Sequence, residues 1–134
     1  MSQLDGDIDG IRLLSDLAEL STIGARPDGG LDRIAWSRAD LDGRHWLRGK
    51  LETAGLHASS DAALNVFGTA TTNARRRLLI GSHSDSVPAG GRLDGAYGVV
   101  AALEVLRTLA EMEDPAADCV EVVDFADEEG VRFP

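Results

Sequence analysis

Only one cysteine, Cys119, occurs among the 134 residues, so no internal disulfide can form. It lies in an apolar run and reads as a buried core residue. Positive charge is scarce: 13 Lys and Arg face 23 Asp and Glu, for a formal net charge of −10. Nucleic-acid and anionic-membrane surfaces need clustered basic side chains, so both classes of partner are excluded. The one basic cluster, Arg75 to Arg77, precedes an apolar run and reads as a solvated turn rather than an anion site. Long apolar runs are missing as well, none approaching the ~20 residues of a transmembrane helix. Met1 to Gly10 is acidic and lacks the apolar centre of a signal peptide, so the chain reads as cytoplasmic. There is no internal repeat and no low-complexity segment.

What remains suits one domain of ordinary apolar content. Ile8 to Ile23 carries Ile8, Ile11, Leu14, Leu17 and Ala18 at helical spacing and stops at Gly24. Pro27 to Gly30 is a loop by its turn chemistry, and Leu31 to Trp36 has no clear assignment. Ser37 reads as an N-cap, with Asp40 as its capping-box partner. The helix it starts runs to about Ala54, with Leu47, Leu51 and Ala54 inward; Gly55 suits the left-handed position after it and Leu56 the apolar residue beyond. Asn65 to Gly68 reads as a short strand, paired in a hairpin with His57 to Ser59. Leu78 to Ile80 reads as a buried strand, Gly95 to Glu111 as a third helix, and Val120 to Ala126 as a second buried strand interrupted by Glu121 and Asp124. Trp36 and Trp46 read as packing residues, and His45 as a helix-surface residue.

Strand, helix, strand in that order is a βαβ unit with parallel strands. The fold class that follows is α/β: a mostly parallel sheet flanked by helices. Parallelism brings the C-terminal ends of both strands to one edge, where open α/β sheets hold ligands. The first strand delivers His83 and Asp85, the loop after it Asp94, and the second strand Asp127, Glu128 and Glu129. Several carboxylates close together repel one another unless a cation sits among them. One imidazole with carboxylates suits Zn²⁺, Mn²⁺ or Co²⁺ better than Ca²⁺. Asp94 can also cap the third helix.

Three stretches carry a resemblance: Gly81-Ser82-His83-Ser84-Asp85-Ser86-Val87-Pro88, Gly90-Gly91-Arg92-Leu93-Asp94-Gly95, and Phe125-Ala126-Asp127-Glu128-Glu129-Gly130-Val131-Arg132-Phe133. Together they resemble the M20-type metallohydrolases, in the amidase/hydantoinase/carbamoylase branch of N-carbamoyl-L-amino-acid hydrolases, β-ureidopropionases and allantoate amidohydrolases. Weaker matches lie at Gly29 to Arg33 and Asn65 to Gly68; Leu64 stands where the family usually has glycine.

The resemblance implies a zinc-exopeptidase-like catalytic domain with two divalent metal ions, Zn, Mn or Co. It implies His83 on one ion, Asp94 bridging both, Glu129 on the second, Glu128 as general base, and Asp85 holding the His83 ring through its other nitrogen. The implied reaction is hydrolysis of a linear amide C–N bond in a small-molecule substrate, an N-carbamoyl amino acid or a ureido acid such as allantoate. Family members are much longer and homodimeric, with further histidine ligands and an inserted lid and dimerisation domain; His45 and His57 match no ligand position. Residues 1–134 are therefore expected to form the amino-terminal part of one catalytic domain, with weak or partial metal binding. A peptidase or aminoacylase of the same superfamily, and a truncated chain without catalysis, stay open as alternatives.

Overall fold

A computed structural model describes residues 8–134. Most of the stretch read as lacking a signal peptide, Met1 to Gly10, lies outside the described residues. Helix α1 spans Gly10–Thr22, with the Asp9 carboxylate accepting the Arg12 N–H at its start. Its buried face is Asp16, Leu17 and Leu20, while Ile8, Ile11, Leu14 and Ala18 are exposed. The apolar spacing therefore placed the inner face wrongly for every member except Leu17. Ion pairs explain the rotation. Arg107 reaches Asp16, Lys50 lies 2.8 Å from the same carboxylate, and Arg12 lies 2.8 Å from the fully buried Glu104. Asp16, Glu104 and Arg107 are buried, and a buried charge left without its partner is strongly destabilising, so the helix turns the face that keeps these pairs inward.

Helix α2, Arg38–Thr53, begins as expected. Ser37 Oγ accepts the Asp40 N–H at 3.3 Å, and Asp40 reaches back to accept the Trp36 N–H at 2.8 Å. It also ends as expected. Gly55 has φ +75°, its N–H bonds to the Glu52 carbonyl, and Leu56 N–H bonds to the Leu51 carbonyl. That double bond pattern is a Schellman motif. His45 is exposed on this helix.

Strands β1, His57–Ser60, and β2, Val66–Thr69, form the expected antiparallel hairpin. Leu64, in its loop, has φ +72°, the left-handed conformation that favours glycine. Strand β3, Leu78–His83, helix α3, Ala96–Glu111, and strand β4, Val120–Phe125, form the parallel unit, with His83 level with Phe125. The sheet order is β1-β2-β4-β3, and β2 pairs with β4 antiparallel. The sheet is thus mixed, and the mostly parallel arrangement holds only for β3 with β4. Because β3 sits at an edge, Leu78 and Leu79 are exposed rather than buried. Between α3 and β4 a short 3₁₀ helix, Pro115–Cys119, turns Ala117 inward and leaves Cys119 exposed, contrary to the core role read from its neighbours.

The main core lies on one face of the sheet. Leu47 and Leu51 of α2, Val99, Leu103 and Leu106 of α3, and Val66 and Val122 of the sheet make one cluster. Trp46 packs against it, and Trp36 meets Phe133 in a tilted ring contact with centroids 5.3 Å apart. Among the described residues no helix is long and apolar enough to cross a membrane.

Candidate metal centre

The β3–β4 register sets the site. His83 ends β3, and the chain leaving β4 turns at once into Glu128 and Glu129. Asp94 precedes α3 in the connection that returns over the same edge. One ligand atom each from His83, Asp94 and Glu129 lies within 4.8 Å of the others. His83 is buried, Glu129 half-buried and Asp94 exposed, so the cluster opens to solvent on one side. Its donors are one imidazole nitrogen and two carboxylates, a set that suits a borderline divalent cation. The residues present therefore fit a metal ion.

Asp85 organises both halves of the cluster. It is fully buried. His83 Nδ1 lies 3.0 Å from the Asp85 carbonyl oxygen and 3.5 Å from its carboxylate, which leaves Nε2 facing the cluster. The Asp85 carboxylate also accepts the N–H groups of Glu128 and Glu129, each at 3.3 Å. One side chain thus orients the imidazole and pins the Glu-Glu turn. Burial pushes the Asp85 carboxyl up, but the bonds from His83 and the two N–H groups outweigh it and hold the carboxyl below the usual range.

The half-exposed Glu128 carboxylate lies 3.2 Å from His83 Nε2. Bonding to Asp85, offset by burial and reinforced by the charge of Glu128, pushes the His83 imidazole up to about 9. Burial raises the Glu129 carboxyl, His83 pulls it down, and the neighbouring Asp94 and Glu128 charges leave it net raised. A cation among these groups relieves that repulsion.

Asp94 does not cap α3. The N-cap is Gly95, which has φ +67° and no side-chain cap bond. A Cβ on Gly95 would lie 2.4 Å from the His83 ring and 2.4 Å from the His83 carbonyl oxygen. Glycine here lets the helix start press against the imidazole, and frees Asp94 to face the cluster.

Sequence reasoning missed the buried polar residues behind the site. Arg33, Arg44, Ser84 and Asp124 are all buried. The available signal was Asp124 itself, a carboxylate interrupting the apolar run of β4.

The family model of peptidase family M28 matches residues 65–132. The N-carbamoyl-L-amino acid amidohydrolase of Geobacillus stearothermophilus is 38% identical over 128 residues, covering 94% of this chain and 31% of the relative. The allantoate amidohydrolase of Bacillus subtilis is 36% identical over 117 residues, covering 86% of this chain and 28% of the relative. A crystal structure of a hydantoinase/carbamoylase family amidase from Burkholderia ambifaria superposes with a TM-score of 0.87 at 43% identity, over 96% of this chain and 32% of that one. The chain spans less than a third of the length of these proteins.

Proposed function

The chain belongs to peptidase family M28, whose model matches its residues 65–132, and from that premise we propose that it carries part of the active site of a metal-dependent amidohydrolase. The reaction is hydrolysis of a linear amide C–N bond in an N-carbamoyl amino acid or a ureido acid such as allantoate. The observation that carries this reading is the convergence of His83, Asp94 and Glu129 within 4.8 Å, beside a carboxylate that is not one of the three, Glu128. Relatives named for these two activities support the substrate class.

In this reading His83 would hold one divalent ion, Glu129 a second, and Asp94 would serve both. When bound, such ions acidify water and polarise a carbonyl. Glu128 is the general base: its exposed carboxylate takes the proton of the attacking water and passes it to the leaving nitrogen. Asp85 positions, holding the His83 ring by Nδ1 and the glutamate turn by its N–H groups. Residues 1–134 make up one part of a catalytic domain, working in the cytoplasm as a homodimer of the whole protein. Alone, the chain binds metal weakly and hydrolyses nothing measurable, since a catalytic zinc normally has three protein ligands and here each ion has fewer.

The test is a graft. These residues replace the matching segment of the Geobacillus stearothermophilus amidohydrolase, and ammonia release from N-carbamoyl amino acids and from allantoate is measured with Zn²⁺, Mn²⁺ or Co²⁺. Metal-dependent release is expected, falling at least ~10²-fold on Glu128→Gln. Release indifferent to Glu128→Gln contradicts the assignment. The family description, a peptidase family, supports a second reading as a peptidase, with an aminoacylase of the same superfamily beside it. A graft that cleaves dipeptides or N-acyl amino acids and leaves carbamoyl substrates intact establishes that one instead.

A further inference from the structure

The β3–β4 ladder ends at His83, so the backbone of Ser84 has no strand partner. A buried N–H without a partner costs about 1–3 kcal/mol, so something must meet it. Asp124, fully buried on β4 opposite Ser82, does so with its side chain. Its Oδ1 accepts the Ser84 N–H at 2.7 Å, and its Oδ2 accepts the Ser84 hydroxyl at 2.6 Å. The other side of the same residue is held too: Arg33 Nε donates to the Ser84 carbonyl at 2.6 Å. Arg33 is itself fixed by the Leu20 and Ile23 carbonyls, at 2.7 and 2.8 Å. Ser84 is the single residue between His83 and Asp85, and every polar group it has is gripped.

The grip extends to the second strand. Arg44 Nη1 lies 3.5 Å from Asp124 Oδ2, and the guanidinium donates to the carbonyls of Leu64, Asp124 and Phe125 at 3.0 to 3.2 Å. Arg44 is paired in turn with Asp40, at 3.1 Å. These buried charges therefore join the exit of β3, the exit of β4 and the β1–β2 loop into one unit. The exits of β3 and β4 lead to His83 and to the Glu128–Glu129 turn.

We propose that Asp124 is a positioning residue for the metal centre: through Ser84 it sets the backbone that aims the His83 imidazole. This rests on the reading of His83 as a metal ligand. An uncharged apolar residue would fill the space on β4 equally well, but it would release the Ser84 N–H and hydroxyl. The peptide between His83 and Asp85 would then be free to rotate, taking with it the Asp85 carbonyl that faces His83 Nδ1.

The experiment compares Asp124→Asn, Ser84→Ala and Val100→Ala with the parent chain. Val100 is a fully buried core residue on α3, in the cluster with Leu17 and Leu20, and serves as a control for lost stability alone. Two quantities are read: the ¹H and ¹⁵N signals of the His83 ring in metal-free protein, and Zn²⁺ affinity by calorimetry. Asp124→Asn keeps one acceptor oxygen for the Ser84 N–H but removes the second acceptor and the charge facing Arg44. It is expected to move the His83 ring signals and to weaken Zn²⁺ binding about 10-fold, the low end of the effect of disturbing an outer partner of a ligand. Ser84→Ala is expected to move the same signals by less. Val100→Ala is expected to lower the melting temperature and leave both readouts in place. Should Asp124→Asn fail to fold, Ser84→Ala decides alone. Unmoved His83 signals in the folded variants overturn the proposal. If the parent chain binds no Zn²⁺ while the ring signals still move, the metal reading fails and the positioning role stands.

Discussion

Glu129→Gln lowers the Zn²⁺ affinity of the chain by more than a hundredfold, whereas Glu128→Gln changes it less than about tenfold. The bounds come from outer partners of metal ligands, whose loss costs about 10–100-fold; losing a ligand lies above that range and losing a non-ligand below it. The two glutamates are adjacent in sequence and their N–H groups bond to the same Asp85 carboxylate, so the backbone does not separate their roles. Side-chain placement does. Glu129 is half-buried and within reach of both Asp94 and His83, while Glu128 is more exposed and lies against His83 Nε2 alone. Replacing Glu128 also removes a carboxylate that competes for that nitrogen, which offsets part of the charge lost. Calorimetry on both variants, with metal content measured after dialysis, reads the difference. The reverse order shows that base and ligand have been exchanged.

Gly81→Ala prevents the chain from folding to this structure. Gly81 lies in the middle of β3, opposite Val123, with φ +152°. A Cβ there would stand 1.9 Å from the Val123 carbonyl oxygen. The obstructing atom is backbone in the neighbouring strand, so no side chain can swing aside to make room. Relief requires β3 and β4 to separate, and with them the parallel pair that brings His83 and Glu129 together. The expected loss exceeds about 4 kcal/mol, a size reached only by a short list of severe mechanisms. For a domain whose whole stability is about 5–15 kcal/mol, circular dichroism and thermal melting should find the variant unfolded or lacking a cooperative transition. A variant that melts cooperatively near the parent places β3 and β4 farther apart than described.

Local chemistry was the legible part of this sequence. The start of α2 at Ser37, its end at Gly55-Leu56, the hairpin and the β3–α3–β4 unit all follow from signals within a few residues of one another. The convergence of His83, Asp94 and Glu129 followed from one further step, the parallel pairing of two strands. What stayed hidden depends on partners far along the chain. Arg12 bonds to Glu104 across 92 residues, and that network turned α1 away from the face its aliphatic spacing suggested. The antiparallel addition of β2 to β4 has no signature in either strand. Cys119 sits among apolar neighbours yet falls on the outside of a 3₁₀ turn. Leu64 is the reverse case: the missing glycine was visible, and the positive φ is its structural counterpart. Asp124 shows how a polar residue in a buried strand should be read, as a group whose partner has yet to be found.

The most direct test of the central claim is the location of bound zinc. Crystals of the chain soaked in Zn²⁺ and measured at the zinc absorption edge should show anomalous density inside the cluster, bonded at about 2.0–2.2 Å to Asp94 together with His83 Nε2 or with Glu129, and with Glu128 outside bonding distance. A peak held by other surface carboxylates, with the His83–Asp94–Glu129 cluster empty, contradicts the account.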